Sequence, residues 1–150
     1  MLQVGDKLPE FSSLNQDGET INSKDFLGKK LIIFFYPKAN TPGCTAEACN
    51  LSDNFSKLKQ EGYQLLGVSS DSVKRQKAFH QKFSFKYDLL ADENREIIEQ
   101  FGVWQLKKFM GKEFMGIVRT TFIFDEQGIC TRVIEKVKTK EAAEQILETK

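Results

Sequence analysis

Cysteine is scarce in this chain, net charge is nearly absent, and no long apolar run occurs. Each shortage excludes something. Three cysteines in 150 residues form an odd set, which argues against a secreted domain stapled by disulfides. The start, Met1-Leu2-Gln3-Val4, lacks the charged-then-apolar pattern of a signal peptide. A reducing compartment, the cytoplasm, is therefore expected. Lys and Arg number 22 against 21 Asp and Glu, so there is no basic field to hold nucleic acid. No run approaches the length of a membrane span, and no repeat, low-complexity tract or linker divides the chain. One domain over residues 1–150, with enough chain for a sizeable core, is expected.

What is present is concentrated around Cys44. Leu31-Ile32-Ile33-Phe34-Phe35-Tyr36 is apolar without alternation, the pattern of a strand covered on both faces. It stops at Pro37. After the polar Lys38-Ala39-Asn40, Thr41 can cap a helix and Pro42 can occupy its first position, where a missing N–H is harmless. Cys44 then falls in the first helical turn. Unpaired N–H groups and the positive end of the helix dipole favour an anion there, and the thiolate is the reactive form of cysteine.

Cys49 follows five positions later on the same predicted helix, which suggests redox chemistry. On a regular helix, Cα atoms five residues apart are roughly 8–9 Å from each other, whereas a disulfide needs about 7 Å or less. A Cys44–Cys49 disulfide therefore requires the first helical turns to unwind. The residues between, Thr45-Ala46-Glu47-Ala48, are mostly small and should bury little.

The segment Tyr36 to Cys49 resembles the active-site segment of peroxiredoxins, specifically the bacterioferritin comigratory protein (PrxQ) subfamily, with Pro37, Thr41 and Cys44 matching its Pro-x-x-x-Thr-x-x-Cys signature. The resemblance extends to Val4–Phe11 and to Gly116–Asp125, the family segment that carries an active-site arginine, here Arg119. It departs at Ala39, where the family commonly has an acidic residue, leaving the hydrogen bonding of that loop unspecified.

The resemblance implies a thiol peroxidase acting on hydrogen peroxide and organic hydroperoxides. Cys44 would attack one peroxide oxygen. Arg119, always charged and presenting donors in a fixed fork, would stabilise the thiolate and polarise the peroxide. Thr41 would orient the peroxide, accepting from a backbone N–H and donating to the peroxide or thiolate, while Pro37 shields the pocket. Cys49 would resolve the sulfenic acid to an intramolecular disulfide, and thioredoxin or a similar dithiol would reduce it. No cofactor is implied, and the carboxyl-terminal helix, read as ending at Lys150 with no arm bearing another cysteine, suggests a monomer.

Plainer readings stand beside these. Cys49 can be a core residue on a stripe with Ala48, Leu51, Phe55 and Leu58; Arg119 can be an exposed strand-edge charge; Thr41 can be a cap alone. Cys130, in a predicted strand, reads as structural, and His80 as a surface or partly packed residue. Two other functions compete. A thioredoxin-like disulfide oxidoreductase would normally carry Cys-x-x-Cys, and the spacing here is different. A structural zinc protein would have to draw on Cys44, Cys49, Cys130 and His80, but a second close pair of ligands is missing.

The remaining elements are read as a hairpin from Phe11–Leu14 and Glu19–Asn22, the cysteine helix ended by Gly62, and a strand over Tyr63–Ser69. A helix over Val73–Phe83 and another capped by Asp92 and ending before Gly102 follow. Last come a hairpin of Thr121–Phe124 with Ile129–Ile134 and a helix from about Thr139. Val103–Gly116 is either a pocket rim or a surface loop whose aromatics fold onto the core. The order predicts an α/β fold: a mixed central sheet with helices on both faces, similar to the thioredoxin-like fold with the amino-terminal β-hairpin extension that peroxiredoxins add.

Overall fold

The strand β3, Lys30–Phe35, lies at the middle of the protein because nothing in it after Lys30 tolerates water: its residues from Leu31 onward, and Tyr36 after it, are at most 1% exposed. In the computed structural model, which describes residues 1–148, it pairs in parallel with β4 (Tyr63–Ser69) and antiparallel with β8 (Thr120–Phe124). Outside these lie β5 (Asp88–Ala91), parallel to β4, and β9 (Cys130–Ile134), antiparallel to β8, giving a mixed five-stranded sheet in the order β5-β4-β3-β8-β9.

Alternation along β3 divides the interior in two. Ile32, Phe34 and Tyr36 pack under α1 (Pro42–Asp53), α2 (Phe55–Gln60), α3 (Val73–Phe83) and α5 (Ala142–Leu147). Leu31, Ile33 and Phe35 face the opposite layer, where α4 (Glu96–Gln100) contributes Ile97 and Ile98, with Phe101 and Leu2 beside them. β4 can lie close against its neighbours because Gly67 has no side chain: a Cβ there would stand 2.8 Å from Phe34 and 2.9 Å from Leu89.

The amino-terminal segment forms the hairpin β1 (Ser12–Leu14) with β2 (Thr20–Asn22). It also reaches both edges of the main sheet. Lys7 bridges to Ile129 beside β9, with Gly5 N donating to Cys130 O and Cys130 N to Asp6 O. At the other edge Asn15 bridges to Leu90, and Leu89 N donates to the Gln16 side chain.

Four features differ from the sequence reading. The cysteine helix does not run unbroken to Gly62: it divides at Asn54, whose backbone leaves helical geometry (φ −103°, ψ 12°) and whose Nδ2 donates to the Asn50 carbonyl. That side-chain bond competes with the helical ladder. The strand β5 is too short, with only Leu89 and Leu90 as its apolar signal, to stand out from its surroundings. Val103–Gly116 proves to be mostly a hairpin, β6 (Trp104–Phe109) with β7 (Lys112–Ile117). Its outer aromatics are not folded onto the core, since Phe109 is 66% exposed and Phe114 46%, and Met110 at the turn is more exposed still. Finally, Asp92 acts on α4 from outside its first turn, accepting from Ile98 N at 2.8 Å, and α5 stops at Leu147, with Glu148 already extended, short of the expected end at Lys150, a residue outside those described.

Candidate functional site

The site forms where β3 gives way to α1. Asn40, with φ +63°, turns the chain, a conformation asparagine tolerates better than most residues. Thr41 follows at the N-cap in extended geometry and Pro42 opens the helix. The first helical bond runs from Thr45 N to Thr41 O at 2.8 Å. The Thr41 side chain does not cap. Its hydroxyl donates instead to the Lys38 carbonyl at 2.8 Å, which holds the loop closed and leaves the oxygen's lone pairs open. The hydrogen bonding that Ala39 left unspecified is supplied by Asp71: Ala39 N donates to its Oδ2 at 2.7 Å, and Ser69 Oγ donates to the same oxygen.

Cys44 is 1% exposed and is a free thiol, as are Cys49 and Cys130. The Arg119 guanidinium, on the connection between β7 and β8, reaches it: Nη2 donates to Cys44 Sγ at 3.4 Å, while Nη1 donates to Glu47 Oε1 at 2.7 Å. Burial works against the charge of Arg119, but Cys44 and Glu47 outweigh it and push its pKa up. Gly43 makes this approach possible, because a Cβ at that position would stand 3.2 Å from Nη2.

Glu47 is the residue that sequence reasoning passed over. It is fully buried, its Oε2 has no partner among the described residues, and burial raises its pKa to about 7 against the opposing pull of Arg119. A signal existed: Glu47 lies three positions after Cys44, the spacing that puts two side chains on one helical face. A carboxylate there would compete with the sulfur for the arginine if the fork could not serve both.

Pro37 is half-buried and lines a surface hollow with Lys38, Ser70, Asp71, Ser72 and Arg75. Cys44 does not border that hollow. Cys49 lies on α1, half-buried, its thiol pushed above the ordinary range by burial and then by Asp53. It sits between two anchors: Tyr87 donates to the Ala48 carbonyl at 2.6 Å, while Asn50 donates to Lys140 O and accepts from Ala143 N. Cys130 begins β9 in the opposite core layer, its pKa raised chiefly by burial. His80 on α3 is half-buried, its Nε2 3.0 Å from the Tyr87 carbonyl. The four residues of the zinc reading are thus spread over three elements, and among the described residues no three His, Cys, Asp or Glu side chains are grouped to hold a metal.

The arrangement can hold a cysteine as thiolate against a guanidinium with donors to spare for a second anion. Comparison with known proteins bears on what that is for. The model of the AhpC/TSA family matches residues 4–133. Peroxiredoxin Bcp of Escherichia coli strain K12 is 45% identical over 138 residues, covering 92% of this chain and 88% of the relative. The structure of Xylella fastidiosa PrxQ superimposes with a TM-score of 0.92 at 27% identity, over 98% of this chain and 94% of that one. That of the Xanthomonas campestris bacterioferritin comigratory protein, studied for its alkyl peroxide reduction activity, gives 0.87 at 30% identity, over 95% of each. The chain belongs to the AhpC/TSA family and, within it, to the peroxiredoxins of the Bcp and PrxQ type.

Proposed function

We propose that the protein reduces hydrogen peroxide and organic hydroperoxides by a two-cysteine thiol mechanism, and the contact of Arg119 Nη2 with Cys44 Sγ at 3.4 Å carries this reading. The Cys44 thiolate attacks one peroxide oxygen. The O–O bond breaks, an S–O bond forms, and the other oxygen departs with the electron pair to be protonated as water or alcohol. Arg119 holds the thiolate and meets the charge that develops on the departing oxygen. Thr41, at the head of the helix, orients the peroxide through its remaining lone pairs, and Pro37 limits the access of bulk water.

Cys49 resolves. Its sulfur attacks the Cys44 sulfenic acid and expels hydroxide, which takes a proton to become water, leaving an intramolecular disulfide. Thioredoxin or a similar external dithiol then restores both thiols by exchange. The enzyme acts as a monomer in the cytoplasm, in one domain over residues 1–150, with no metal or organic cofactor in the cycle.

The test is peroxide consumption with thioredoxin, its reductase and NADPH. Cys44→Ser should abolish turnover. Cys49→Ser should consume about one equivalent of peroxide and leave a sulfenic acid on Cys44 that a dimedone-type reagent traps. Cys130→Ser should stay active. Trapping at Cys49, or equal loss in all three variants, would overturn the assignment.

A further inference from the structure

One side chain of the β6–β7 hairpin reaches back to the active centre. Lys107 stands opposite Phe114 across the ribbon, and its stem lies over Gly116, where a Cβ would come within 3.1 Å of Lys107 Cδ. A side chain at Gly116 would press on this stem. Its Nζ donates to the Ile117 carbonyl at 2.9 Å, two residues before Arg119. The connection that carries the guanidinium is pinned at three points: Ile117 O by Lys107, Val118 N by Val103 O, and Val118 O by the Thr120 hydroxyl. Lys107 is the one charged group among the three.

Burial and then Arg119 push the Lys107 pKa down, while Cys44 pulls it up. Two cations side by side are unfavourable unless an anion is shared between them. Glu47 is engaged with Arg119 Nη1 through Oε1 alone, so its unpartnered Oε2 and the Cys44 sulfur are the acceptors left beside the guanidinium. The titratable groups that act on Cys44 or its guanidinium are Arg119, Glu47 on α1, Tyr36 at the end of β3 and Lys107. Of these Tyr36 stays neutral, since burial holds its pKa far up while its hydroxyl donates to Gln76.

We infer that Lys107 is a positioning residue for Arg119, through its clamp on the Ile117 carbonyl. The inference rests on the peroxidase reading with Cys44 as nucleophile. It ties the hairpin to the reaction centre: movement of the ribbon would loosen the guanidinium that faces Cys44.

Two variants separate clamp from charge. Lys107→Met keeps an apolar stem and loses both; Lys107→Gln keeps a donor for the carbonyl and loses the charge. Each is followed by single-turnover peroxide reduction, by the ultraviolet thiolate absorbance of Cys44 across pH, and by thermal melting. Lys107→Met, which frees the Ile117 carbonyl and loosens Arg119, should move the thiolate profile to higher pH, and Lys107→Gln less so. The peroxide rate should fall about threefold in Lys107→Gln and about tenfold in Lys107→Met, with Lys107→Arg close to wild type. Unchanged rate and profile in Lys107→Met would overturn the inference, and so would equal rate losses in all three variants with an unmoved profile, which mark a packing role. If Lys107→Met does not fold, Lys107→Gln against Lys107→Arg decides by the same two readings. Failure of the peroxidase reading is seen separately, as continued turnover in Cys44→Ser.

Discussion

Disulfide formation between Cys44 and Cys49 should unwind the front of α1 and leave its rear in place. The rise and turn of a regular helix put the two Cα atoms about 8.6 Å apart, beyond the roughly 7 Å that a disulfide spans. Which sulfur moves is decided by the anchors. Ala48 is held by Tyr87 and Asn50 by Lys140 and Ala143, so Cys49 stays and Cys44 comes to it. The bonds that must open are those donated by Thr45, Ala46, Glu47 and Ala48 to the residues four before them. At about 1 kcal/mol each they hold about 4 kcal/mol, part of it offset by the backbone freedom regained at about 1–2 kcal/mol per residue. A protection of 4 kcal/mol corresponds to about a thousandfold in amide exchange. Hydrogen exchange with mass spectrometry on the reduced and disulfide forms should therefore show a loss approaching that size at Thr45–Ala48. Leu51–Asp53 should exchange alike in both. Protection retained at Thr45–Ala48 in a verified disulfide would refute the geometry, and equal loss through Asp53 would refute the role of the anchors.

Glu47 makes stability depend on pH in the direction opposite to an ordinary ion-paired carboxylate. Its folded pKa of about 7 lies above the unfolded value of about 4.3. Between these the folded state binds the extra proton, so stability is greatest below the unfolded value and falls as pH rises through about 7, by at most about 4 kcal/mol. Urea midpoints of wild type minus those of Glu47→Gln should slope downward over that window, and an upward slope would show that Arg119 dominates. Arg119→Met should slow the peroxide step at least tenfold; comparing variants at equal thiolate absorbance tests whether the guanidinium also serves the departing oxygen, and an unchanged rate would remove it from the site. The same variant leaves Glu47 Oε1 without its partner, so it should lower stability by about 1–3 kcal/mol at neutral pH and less at pH about 5, where the carboxyl is protonated.

The parts of this protein that sequence reasoning reached are those set by local pattern. β4 and α3 match their expected bounds, Tyr63–Ser69 and Val73–Phe83, because each is a strongly patterned run with clear ends. The start of α1 was legible from Pro42, and the meeting of Arg119 with Cys44 came from resemblance, since no local rule brings residues 75 apart together. What escaped depends on tertiary context. β5 offers two leucines and gains its identity from pairing with β4. Thr41 reads as a side-chain cap, but the Lys38 carbonyl takes its proton. Lys107 lies among several lysines and differs from them only in where Gly116 lets it go.

The two bridges of the amino-terminal segment have a consequence for the protein in concentrated solution. A five-stranded open sheet presents two edges of unpaired N–H and C=O groups, each a template on which another chain can add a strand. Residues 5–8 occupy the β9 side and Asn15 with Gln16 the β5 side, so one short stretch guards both. The guard is strongest where main chain meets main chain, along Gly5–Leu8. Loss of those few residues would leave Cys44 and Arg119 in place and bare the start of the β9 edge to strand addition by another chain.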